Sequence, residues 1–171
     1  IQTLVLLSLV GLLAGFIDSI AGGGGLLTVP ALLLAGLSPM QALGTNKMQS
    51  VFGSGSASFA FARGGHVNWR EMKLPFALSA LGSAAGAYLA TIISAEFLRT
   101  FLPVLLILIA IYFALKPDAG ELPGRQILAP AVFTATIVPI IGFYDGILGP
   151  GTGSFFMLGY VALAGFGMLK A

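Results

Sequence analysis

An apolar helix broken by glycine occurs twice in this chain, and in each copy an aspartate stands about one turn ahead of the break. Residues 15 to 25 read GFIDSIAGGGG and residues 142 to 152 read GFYDGILGPGT. Gly15, Phe16, Asp18, Ile20, Gly22 and Gly24 thus correspond to Gly142, Phe143, Asp145, Ile147, Gly149 and Gly151. Glycine is a poor helix former, so each run ends a helix and exposes main chain that must then be buried in protein or face water. Paired halves with discontinuous helices are the architecture of membrane transporters that bind at the breaks.

Composition fixes the surroundings. The chain is 57% hydrophobic and 8% charged, where soluble domains carry about 25% charged residues. With a mean hydropathy of +1.01 and apolar stretches along its whole length, it predicts an all-α, polytopic membrane helical bundle with inverted repeats and glycine-broken half-helices. The strand alternation of an outer-membrane barrel is not visible. The net charge of +2 comes from thinly spread basic residues with no stripe or aromatic interleaving, so nucleic acid is not an expected partner. Zero cysteines rule out disulfides, thiolate metal sites and cysteine nucleophiles. The start at Ile1 carries no charged n-region and no cleavage site, which fits a segment of a longer protein better than a signal peptide.

The predicted helices run from Leu4 to Ile20, Leu26 to Leu37, Ser38 to Ala62, Leu74 to Ile93, Phe97 to Leu115, Ile127 to Ile147 and Ser154 to Ala164. The second, with Pro30 in its first turn, covers only about 18 Å of a bilayer core about 30 Å thick. Ser38 and Pro39 form a cap and first-turn pair. Arg63 to Lys73 reads as a polar loop anchored by Trp69. Gly82 and Gly86 give the fourth helix a GxxxG face for close packing, and the Leu-, Ile- and Phe-rich fifth helix reads as lipid-facing. Residues 1–116 form a first repeat, 117–126 a cytoplasmic linker and 127–171 the start of an incomplete second repeat.

Arg63, Arg70 and Lys73 at one loop, and Lys116 and Arg125 at another, place both loops in the cytoplasm by the positive-inside rule. The first and sixth helices then run in opposite directions, giving an inverted repeat, provided the short second helix crosses. If that helix returns to its own side, the repeats are parallel.

The candidate binding groups follow from these breaks. Gly22, Gly23, Gly24 and Gly25, with Gly149, Gly151, Thr152 and Gly153, can offer main-chain N–H groups to an anion, and the half-helix after each break adds the positive end of its dipole. The alternative is that these glycines serve only tight helix crossing. Neither run has the Gly-Lys-Ser/Thr ending or the βαβ setting of a nucleotide loop. Asp18 and Asp145 are candidates for proton coupling, or else for capping the amides that follow. Lys47 lies roughly 12 Å into the third helix, where a cation calls for an anionic partner or snorkels to the headgroups. Thr45, Asn46 and Gln49 surround it with neutral hydrogen-bonding groups. Gly53 to Ser58 reads as a packing face and His66 as a loop residue. No metal cluster or nucleophile-base arrangement stands out, so neither an enzyme nor a cofactor is expected.

The residues from Gly11 to Gly65, GLLAGFIDSIAGGGGLLTVPALLLAGLSPMQALGTNKMQSVFGSGSASFAFARGG, together with GFYDGILGPGTGSFF from Gly142 to Phe156, resemble the TauE/SafE sulfite exporter family of bacterial membrane transporters. The resemblance implies about eight helices in two related halves, a multi-pass place in the inner membrane, and a small sulfur-containing anion as substrate. It also implies that the glycine runs and Thr45-Asn46-Lys47 form the substrate region. Family members continue into a helix with a second Thr-x-x-Lys-like stretch, whereas this sequence stops at Lys170-Ala171, so the resemblance implies an incomplete site. The expected partners are a small anion and the lipid bilayer, and a homo-oligomer is compatible with both. Alternating-access transport is the expected activity; a passive anion channel and a structural membrane protein without transport are the alternatives.

Overall fold

The computed structural model describes residues 2–20, 22–115, 126–167 and 171, with Phe113 as main chain only. Among these residues run seven helices and no strand: α1 (Gln2–Ile20), α2 (Gly25–Leu34), α3 (Pro39–Arg63), α4 (Trp69–Ile92), α5 (Ala95–Leu115), α6 (Pro130–Ile147) and α7 (Thr152–Ala162). Four segments, Gln2–Ile20, Trp69–Ile92, Ala95–Tyr112 and Pro130–Ile147, are long and apolar enough to cross a membrane. Leu4, Leu6, Leu9, Leu12, Phe16 and Ile20 of α1 are all more than half exposed, a surface suited to acyl chains rather than water. The chain is an all-α polytopic membrane protein. The expected linker falls almost wholly outside the described residues, as does Lys170.

Local chemistry sets the helix ends. Ser38 and Gln41 form a reciprocal capping box at the start of α3, with Pro39 in the first turn. Asn68 caps α4 by accepting from the Arg70 N–H at 3.2 Å and donating to Glu71 at 2.7 Å. That cap starts α4 at Trp69, five residues ahead of the expected Leu74, and shortens the polar loop to residues 64–68. α2 also starts early: Asp18 accepts the Gly24 N–H at 2.7 Å and the Thr28 hydroxyl bonds back to the Gly24 carbonyl at 3.2 Å. Winding therefore begins within the glycine run, and Pro30 lies inside the helix rather than in its first turn.

The expected GxxxG face of α4 has its partner in α6. A Cβ on Gly82 would strike the Pro139 carbonyl, one on Gly86 the Phe143 carbonyl, and one on Gly146 the Ser83 carbonyl. Gly142 lies against Ser79, one turn before the Gly146–Ser83 contact on both helices, so α4 and α6 run in the same direction. Where lipid is as apolar as leucine, helices gain by such close main-chain approach.

α1 and α3 also run in the same direction. Gln49 donates to the Gly11 carbonyl at 2.8 Å, and one turn further along both helices a Cβ on Gly53 would lie 3.4 Å from the Gly15 carbonyl. The break and α2 together thus carry the chain back toward the end where α1 began.

α5 departs from its expected lipid-facing role on one side. Leu98, Leu102 and Leu106, spaced four apart, are buried against Val29, Leu32, Ala42, Leu43 and Leu148, while Val104, Ile107, Leu108 and Leu115 stay exposed. The seam arises because α2 is too short to cover α3, leaving a gap that the leucines fill. A second cluster, Phe133, Val138 and Ala164 with Tyr160 and Phe156, packs α7 onto α6.

Candidate functional site

The two glycine breaks meet. Gly22 and Gly153 touch through main chain, and the Ser154 N–H donates to the Gly22 carbonyl at 3.1 Å. Side chains on these glycines would force the breaks apart. Beside this crossing, a Cβ on Gly25 would lie 3.0 Å from both the Asn46 amide and Pro150 Cα, so Asn46 of α3 is wedged between the two breaks. Asn46 is 3% exposed, and its Oδ1 has no hydrogen-bond partner among the described residues. A buried unpaired amide oxygen costs about 1–3 kcal/mol, which makes this an unusual place to keep one without use.

Lys47 follows Asn46 and serves the second break. Its Nζ donates to the Asp145 carbonyl, lies 3.5 Å from Asp145 Oδ2, and would be 3.3 Å from a Cβ on Gly149. Gly149 and Gly151 have φ of 92° and 80°, the left-handed region that favours glycine, and this turns the chain from α6 into α7 across the ammonium. The Ser83 hydroxyl of α4 donates to Asp145 Oδ2 at 3.2 Å.

The first break is built differently. Asp18 accepts from the Gly24 N–H and, at 3.3 Å, from the Ser50 hydroxyl of α3. No ion pair to Asp18 occurs among the described residues. Corresponding aspartates therefore have unlike partners: a main-chain amide at the first break, a lysine from α3 at the second.

Residues 7–171 match the family described as sulfite exporter TauE/SafE. The chain belongs to this family. Similar proteins named probable membrane transporter protein include ORF9 of Sinorhizobium sp, 60% identical over 169 residues, which spans 98% of this chain and 64% of that protein. YfcA of Escherichia coli (strain K12) is 48% identical over 162 residues, 95% of this chain and 60% of its own length. A Haemophilus influenzae protein is 44% identical over 171 residues, the whole of this chain and 67% of its own length. The chain thus spans about three fifths of the first two relatives. No solved structure matches it.

In this TauE/SafE chain the remaining expected groups divide. Gly23 lies by Ser154, with 3.4 Å from a built Cβ to the hydroxyl, inside the crossing. The Thr152 hydroxyl donates to the Gly149 carbonyl at 2.6 Å and steadies the second turn. Gln49 accepts from the Thr28 hydroxyl at 2.8 Å and donates to Gly11, tying α1, α2 and α3 together. Thr45 is exposed, away from the buried Asn46. Two of the N–H groups expected to face an anion are already engaged, those of Gly24 and Thr152.

Ser50, Ser83 and Tyr144 join the site beyond the residues expected of it. Tyr144 donates to the Pro150 carbonyl at 2.6 Å and holds the second break closed. Ser50 lies one turn past Lys47, a spacing visible in the sequence; Ser83 is hidden within the GxxxG packing face. A cavity of about 500 Å³ lined by Leu33, Ser38, Gln41, Leu98 and Arg99, among others, shares no residue with the junction.

Proposed function

We propose that the protein carrying this chain is a secondary transporter of a small sulfur-containing oxyanion or sulfonate in the bacterial inner membrane. The observation that carries the proposal is Lys47, a half-buried cation paired with Asp145 at the second glycine break, next to the Asn46 that lies at the crossing. An intramembrane cation marks a substrate or ion path. The substrate anion would sit between Lys47, the Asn46 amide and the first turn of α7, whose dipole adds positive potential. The common direction of α1 and α3, and of α4 and α6, supports a chain in which α2 crosses and the two repeats are inverted. The family description, sulfite exporter, supports the substrate class.

The test is flux in proteoliposomes. Lys47→Met in the full-length protein abolishes sulfite or sulfonate transport and leaves expression intact. Unchanged flux would remove Lys47 from the site. Uphill anion movement driven by a proton gradient separates a transporter from a passive channel. Stabilisation of the purified protein by the anion in a thermal-shift assay separates either from a purely structural role.

A further inference from the structure

We infer that Asp145 is a built-in competitor for the substrate anion, so that the anion gains Lys47 only when Asp145 takes up a proton, one proton entering with each anion. This rests on the transport proposal above and specifies its coupling.

The argument starts from charge. Lys47 needs a counter-charge inside the bilayer, which the Asp145 carboxylate supplies while the Asp145 carbonyl accepts a hydrogen bond from the ammonium. The ammonium has three N–H donors and no acceptor, so it can turn to another oxyanion without breaking the fold. An anion arriving beside it would meet the Asp145 carboxylate at close range, and like charges there oppose binding. A proton on Asp145 removes that repulsion, frees the ammonium, and leaves the Ser83 hydroxyl as a partner for the neutral carboxyl group. The proton and a singly charged anion together add no net charge to the site.

The surroundings leave Asp145 as the carboxylate that competes with an anion for Lys47. From α3 it faces Lys47 and from α4 the uncharged Ser83. On its own helix Tyr144 is committed to the Pro150 carbonyl, and on α7 Tyr160 packs on Phe133 toward the other end of α6. Lys47 is the one ion-pair partner of Asp145 among the described residues. Asp18, its counterpart in the repeat, is bonded to Gly24 and Ser50 instead and holds the start of α2, so protonating it would release no cation.

The experiment is equilibrium binding of thiosulfate and of a small alkanesulfonate to the full-length purified protein over a range of pH. Both probes keep their charge where carboxylates titrate. Linkage of one proton requires wild-type affinity to rise as pH falls, by at most about tenfold per pH unit. Asp145→Asn should bind at the acid-limit affinity at every pH, and should exchange anion without responding to a proton gradient. Asp18→Asn should keep the wild-type slope. A wild-type slope in Asp145→Asn, or a flat profile in Asp18→Asn alone, overturns the inference while leaving anion transport standing. Wild-type protein that binds neither probe at any pH overturns both. If Asp145→Asn does not accumulate, Ser83→Ala provides the second variant. The variant removes a partner of the carboxyl group in either protonation state and keeps the Lys47 pair, so the pH slope of binding should survive; a flat profile overturns the inference.

Discussion

At the scale of single residues, the two aspartates of the repeat illustrate how position in a motif and chemical duty separate. Both stand one turn before glycine, yet Asp18 fastens a main-chain amide and Asp145 a lysine. Hydrogen bonds to charged acceptors contribute about 1.5–3 kcal/mol, so Asp18→Ala should lower thermal stability by an amount of that order, read from unfolding in detergent. Asp18→Asn, which keeps an acceptor, should lose less. Asn46→Leu removes the Nδ2 donors that would face an anion and should weaken or abolish its binding; it should change thermal stability far less than Asp18→Ala does, because the orphaned Oδ1 is removed with them and replaced by apolar atoms of similar size. The sequence marked Asn46 and Lys47 as a polar island in α3, but it could not say which break they serve. Spacing along one helix carries no record of what lies across the bundle.

At the scale of helices, the packing of α4 on α6 and the exposure of α3 make a matched contrast. Gly146→Ala should destabilise strongly, since its Cβ meets the Ser83 carbonyl and neither helix main chain can yield. Gly55→Ala on α3 meets nothing within 4 Å and should be neutral or stabilising by about 0.5–1 kcal/mol, because alanine is the better helix former. Thermal unfolding of the two variants side by side checks both. The GxxxG face was legible from residue size alone. The buried seam of α5 was not: a helix apolar on every side shows no contrast between the face that meets protein and the face that meets lipid. The early starts of α2 and α4 escaped for another reason, since each depends on one side chain reaching back or forward to cap the turn.

At the scale of the whole molecule, the crossing of the breaks ties α1 and α2 to α6 and α7. Rocking of α1, α2 and α3 against the α4–α6 pair would have to slide Gly22 past Gly153. A chain without cysteines allows a direct check: Gly23→Cys combined with Ser154→Cys places two thiols where a Cβ and an Oγ are 3.4 Å apart, within the reach of a disulfide. Oxidation should crosslink the pair and stop transport, and a reductant should restore it; undiminished flux in the oxidised protein would show that the breaks do not move relative to each other. The internal repeat made the two breaks visible as equivalents, whereas their contact depends on how α2 turns back, which a ten-residue helix leaves ambiguous.

The α4–α6 pair has a mechanical consequence. Its grip includes carbonyls set directly against glycines, and main chain cannot give way as side chains do, so stretching within the pair is slight. A tip pulling the chain out of a bilayer from the C-terminal end should therefore meet a tall force peak as α6 is torn from α4, and Gly146→Ala should lower that peak.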